Sequence, residues 1–158
     1  MSKTTKKRKR PQTNSPLKKT VTDAKNPEQF ERLVAGSEVV VVDFWAPWCG
    51  PCKAMGPVFE AASRDYQGKV RFLKVNTEQN QKTARALNIT SIPTLLVFVN
   101  GELSDAHVGL TSRSHLDGML RRALDKKDGV GLVGKFKRFF GADTKATASS
   151  DASVDAHP

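Results

Sequence analysis

The two cysteines of the chain, Cys49 and Cys52, share one stretch, "VVVVDFWAPWCGPCKAMGP", residues 39–57. Two thiols separated by two residues can supply half of a metal site, form a structural cross-link, or cycle between dithiol and disulfide. A tetrahedral zinc site needs four ligands. Beyond the cysteines the chain offers only His107, His115 and His157, none at a recognised paired spacing. A permanent cross-link across so short a loop removes little entropy from the unfolded chain. The neighbouring residues favour redox chemistry.

A strand ending at Trp45 and a helix starting near Cys49 or Gly50 would set the Cys49 sulfur beside unpaired backbone N–H groups. The positive end of the helix dipole lies there too, which favours a thiolate. Cys49 is therefore the expected nucleophile. Cys52, about one turn deeper, is expected to stay a thiol until a mixed disulfide forms, and then to resolve it. Pro51 fixes the first turn, while Gly50 permits a tight turn and leaves the nucleophile open to a protein substrate. Two charges interrupt apolar runs, Asp43 in "SEVVVVDFWA" and Lys74 in "KVRFLKVN". Either the register turns both towards water, or neighbouring strands join them beneath the cysteines, where a carboxylate of raised pKa can take the Cys52 proton.

The elements that must hold these residues are legible from pattern. "KNPEQFERLV" predicts a short helix capped by Asn26, with Pro27 at its first position, Gln29 at capping-box spacing and Phe30, Leu33 and Val34 on one face. "SEVVVVDFWA" and "KVRFLKVN" read as buried strands. Between them residues 51–67 place Met55, Val58, Phe59, Ala62 and Tyr66 at helical spacing, with Gly68 as the stop. Strand, helix, strand implies a crossover joining a parallel pair. Gly56 and Pro57 inside that helix predict a kink. A helix in "QKTARALN", a strand "TLLVFV", a turn at Asn100-Gly101, a weaker strand ending near Val108 and a last helix bearing Leu116, Met119, Leu120, Ala123 and Leu124 complete the core.

Lys and Arg outnumber Asp and Glu by 26 to 16, a balance that suggests a nucleic-acid binder until the charges are mapped. Residues 1–20 carry eight positive charges and no negative one, residues 21–125 carry twelve of each sign, and residues 126–158 carry six positive and four negative. The excess sits in the tails. Residues 1–20 are expected to form a disordered basic arm, 21–125 the domain, 126–141 a linker and basic amphipathic helix, and 142–158 a disordered polar tail. Within the arm, "KKRKRPQ" suits a nuclear import signal or nucleic acid, although solvation is the commoner fate of such a run. In the helix, Leu132, Val133, Phe136, Phe139 and Phe140 share a face among Lys135, Lys137 and Arg138. That face would pack on the domain, fail to form a stable helix, or touch a membrane surface weakly. No stretch is long and apolar enough to span a membrane or act as a signal peptide, so a cytosolic location is expected, where thiols stay reduced.

"WCGPC" preceded by "FWAP", and followed some forty residues later by "SIPTLLVFVNGE", resembles the thioredoxin family over about residues 21–125. The resemblance implies an α/β thioredoxin fold, a central mixed sheet flanked by helices on both faces. It implies a thiol-disulfide oxidoreductase that reduces protein disulfides, recharged by a thioredoxin reductase, with no cofactor beyond the Cys49–Cys52 disulfide and no metal. A monomer taking part in electron transport and cell redox homeostasis is expected. In the family the residues matching Asp43 and Lys74 meet under the active site. The residue matching Pro93 is a cis proline facing the cysteines, which otherwise reads simply as a strand start. Trp48, Ile92 and Gly109, with Gly50 and Pro51, would by the same likeness receive the substrate chain; read alone, Trp48 is a half-buried aromatic and Gly109 a turn. A different class of function, a binding or adaptor module whose redox turnover is incidental, stays open on sequence grounds.

Overall fold

The computed structural model describes residues 19–129. The arm before residue 19 and the basic helix and polar tail expected after 129 lie outside the described residues. Within them run β1 (Val21–Asp23), α1 (Pro27–Ala35), β2 (Val39–Trp45), α2 (Gly50–Asp65), β3 (Arg71–Asn76), α3 (Gln81–Ala86), β4 (Thr94–Val99), β5 (Glu102–Val108) and α4 (Arg113–Gly129). The five strands form one sheet in the order β1-β3-β2-β4-β5. β1, β3 and β2 are parallel, while β4 runs antiparallel to β2 and β5 antiparallel to β4.

Local chemistry explains the boundaries. Asn26 caps α1, its Oδ1 accepting from Gln29 N–H at 2.8 Å, and the Gln29 side chain accepts in return from Lys25 N–H at 2.8 Å. Pro27 takes the first helical position, where no N–H is needed. α2 stays one helix through Pro57, and its last turn passes into Tyr66 before Gly68 turns the chain at φ +82°. Asn100 and Gly101, both at positive φ, form the tight turn between β4 and β5. α4 continues to Gly129, four residues past the domain end set from the sequence.

The pleat of β2 sorts its side chains. Val40, Val42 and Phe44 enter one core with Phe30 and Val34 of α1, Leu73, Val75, Leu96 and Phe98. Val39 and Val41 enter the other, with Met55, Phe59 and Ala62 of α2 and Leu116, Met119, Leu120 and Ala123 of α4. Phe30 meets Phe98 edge-on at 6.1 Å, and Phe59 meets Phe72 edge-on at 5.0 Å. Each such buried side chain contributes about 1.5–3 kcal/mol. By the same alternation Asp43 follows Val39 and Val41 onto the α2 side, and Lys74 follows Phe72 there.

Candidate active site

β2 delivers the chain to the site. After Trp45 the backbone turns through Ala46, Pro47 and Trp48, and Cys49 becomes the N-cap of α2. Cys49 Sγ accepts from Cys52 N–H at 3.2 Å, in the place a Ser or Asp oxygen takes at other helix starts. Pro51 lies in the first turn, which carries no acidic residue to offset the positive end of the helix. Cys49 and Cys52 are joined in a disulfide, their Cα atoms 5.2 Å apart. Cys49 keeps 4% of its surface exposed and Cys52 3%. Gly50 suggests an open Cys49, but in the disulfide form Cys49 is nearly as covered as Cys52, the pair forming a cluster with Ala46 against which Ile92 packs.

The Ile92–Pro93 peptide bond is cis, and Cys49 Sγ lies 3.9 Å from the Ile92 carbonyl oxygen. Gly109 N–H donates to the Pro93 carbonyl at 2.7 Å, and Gly109 holds φ +99° in open space. A side chain there would meet no atom but would strain the backbone. Ile92 thus packs on the cysteine cluster, and Gly109 reaches the adjoining Pro93 from a separate loop. Trp48 is 69% exposed, not half-buried, and its indole N–H donates to Glu78 Oε1 at 2.7 Å. Glu78 escaped the sequence reading, since an acidic residue in a loop carries no signal of a partner thirty positions earlier.

Beneath the cysteines, Asp43 and Lys74 are register partners on β2 and β3. The alternative that both face water is excluded: Asp43 is fully buried, and the Lys74 side chain is only 19% exposed. Lys74 Nζ stands 4.0 Å from Asp43 Oδ2 and 4.9 Å from the centre of the Trp45 ring. No described residue donates a hydrogen bond to either carboxylate oxygen. Burial pushes the Asp43 carboxyl up to about 6, against the opposing pull of Lys74. Lys74 also lines a cleft of about 280 Å³ with Trp45, Cys52, Gly56, Pro57 and Glu60, so Cys52 and the ammonium share one opening. Among the described residues, no group of three or more His, Cys, Asp or Glu could hold a metal ion.

A cysteine pair capping a helix, faced by a cis proline on a five-stranded mixed sheet, defines a thiol-disulfide oxidoreductase. The chain belongs to the thioredoxin family, whose family model matches residues 21–122. It is 45% identical over 96 residues to a thioredoxin of Synechocystis, covering 60% of this chain and 90% of that protein. It is 44% identical over 92 residues to the chloroplastic M-type thioredoxin of Pisum sativum, covering 58% of this chain and 54% of the pea protein. The chain thus spans about half the length of that plant relative. The solved thioredoxin of Malassezia sympodialis superposes with a TM-score of 0.61 at 38% identity, covering 66% of this chain and 90% of that one.

Proposed function

We propose that this protein reduces disulfides in protein substrates by dithiol exchange, with Cys49 attacking and Cys52 resolving. In the reduced form the Cys49 thiolate attacks one sulfur of a substrate disulfide. That bond breaks, the displaced substrate sulfur leaves as a thiolate, and a mixed disulfide joins Cys49 to the other. Asp43 accepts the Cys52 proton, and Lys74, which lines the cleft with Cys52, holds the ionised carboxylate. Cys52 then attacks Cys49 Sγ and the second substrate thiolate departs. Two electrons have passed to the substrate, and the Cys49–Cys52 disulfide remains. Trp48, Gly50, Pro51, Ile92, Pro93 and Gly109 receive the substrate chain.

One observation carries this reading: the Cys49 sulfur sits 3.2 Å from the Cys52 N–H at the start of a helix, a donor that favours the thiolate over the thiol once the disulfide opens. A thioredoxin reductase is the proposed electron donor, the protein works as a monomer, and the cytosol is the proposed location. Some relatives are named chloroplastic, which makes an organelle the competing location, and cell fractionation distinguishes them.

Insulin-disulfide reduction, coupled in turn to reductases dependent on NADPH and on ferredoxin, tests the function. Cys49→Ser abolishes turnover, and Cys52→Ser accumulates a mixed disulfide. Turnover at the parent rate in Cys49→Ser would refute the assignment.

A further inference from the structure

We propose that His107 and His115 form a two-imidazole site for a divalent cation of the zinc, nickel and copper class. Eight positions apart, they match no ligand spacing in the sequence; the fold makes them neighbours. Their ring centroids lie 4.6 Å apart, with the planes tilted by 52°. The packing of β5 against α4 causes this. Asp105 and His107, two positions apart on β5, share one face of the strand, and Asp105 accepts from Arg122 of α4 at 2.8 Å. α4 runs back along β5, so His115, two turns before Arg122, arrives beside His107.

Both residues stand on fixed backbone. His107 pairs with Leu95 in the ladder. His115 N–H donates to Ser112 Oγ at 3.2 Å, and the next residue, Leu116, is fully buried. The rings themselves are reachable, His115 being exposed and His107 partly so. A neutral imidazole offers one nitrogen lone pair, and two rings held on different elements can chelate one cation at little cost in ordering. Imidazole nitrogen selects zinc, nickel and copper over the oxygen-seeking magnesium and calcium. Among the described residues no third thiolate, imidazole or carboxylate completes a cluster, so water fills the remaining positions. The site lies outside the redox centre but near its rim: His107 is two residues before Gly109, which holds the Pro93 carbonyl.

Calorimetric titration of the oxidised full-length protein with zinc chloride tests the site, since the disulfide withholds the thiolates of Cys49 and Cys52 from the metal. The expected result is one zinc ion per chain, bound at least roughly tenfold more weakly in His107→Ala and in His115→Ala, with His157→Ala unchanged. Both residues lie at the surface, and far-UV circular dichroism verifies that the variants fold. Zinc should also raise the melting temperature of the parent protein by more than that of either variant at the same zinc concentration. Absence of saturable binding at about millimolar zinc, or a smaller loss in either variant, would overturn the site and leave the ring pair as a packing contact.

Discussion

Asp43 and Lys74 stand side by side on parallel strands, the ammonium 4.0 Å from the carboxylate, yet no described residue donates a hydrogen bond to either carboxylate oxygen. The pair is thus an ion pair of long reach in which burial outweighs attraction, and the Asp43 carboxyl is pushed up to about 6 from an ordinary 3.8.

Folding stability should carry the mark of that displacement. Asp43 binds its proton more tightly in the folded than in the unfolded chain, so its contribution is complete below about pH 4, falls between about pH 4 and 6, and is level above. The ionised group costs on the order of 3 kcal/mol at neutral pH. Asp43→Asn should therefore be more stable than the parent by about 1–3 kcal/mol at neutral pH, the gain vanishing near pH 4. Urea unfolding at both pH values measures it.

Removing the cation moves the carboxyl the other way. Lys74→Met takes away the one attraction that lowers the Asp43 value, so a larger fraction of Asp43 stays protonated near neutrality and cannot accept the Cys52 proton. Single-turnover release of substrate from the mixed disulfide should be slower by roughly two- to fivefold at neutral pH, with the rising limb of the pH profile moved to higher pH. A profile superposable on the parent's would remove Lys74 from the proton path.

Trp48 separates recognition from stability. Its ring is mostly exposed and, among the described residues, hydrogen-bonded to Glu78, so Trp48→Ala should change unfolding free energy by no more than about 0.5 kcal/mol. The KM for a protein disulfide should rise, while reduction of a small aromatic disulfide keeps its rate. Parallel assays with the two substrates decide the point.

Phe59 tests the core that supports the redox helix. It is fully buried and edge-on to Phe72, and Phe59→Ala should cost about 3–5 kcal/mol in denaturant unfolding. A loss below about 1 kcal/mol would mean that α2 is held chiefly from elsewhere.

The crossover β2-α2-β3, the capped helix α1 and the Asn100-Gly101 turn could be read from the sequence because each is written locally, in apolar periods, caps and turn residues. The strand β1, inside the expected domain, carries no strand signal of its own in the sequence. That strand is three residues long and only Val21 is buried, so no alternation had room to show. Asn80 was missed for another reason. Its side chain donates to the Ala24 carbonyl at 3.1 Å, across 56 positions, a partner that exists only after the sheet has formed. The redox pair itself was legible through its neighbours. The cover over Cys49 was not, because Ala46 and Ile92 come to it from different loops.

The direction of the strands has a practical outcome. β1 and β2 point the same way, and the cysteines follow the C-terminal end of β2, so the chain enters at Lys19 from the opposite pole. α4 sets out beside the redox end and returns to that far pole, where Lys127 pairs with Glu38 at 2.9 Å, one residue before β2 begins. Lys19 and the end of α4 thus both lie on the side remote from the chemistry. Grafted to a resin, a sensor surface or a second enzyme at Lys19 or Gly129, the domain would present its cysteines outward, with a full strand length between the anchor and the incoming disulfide.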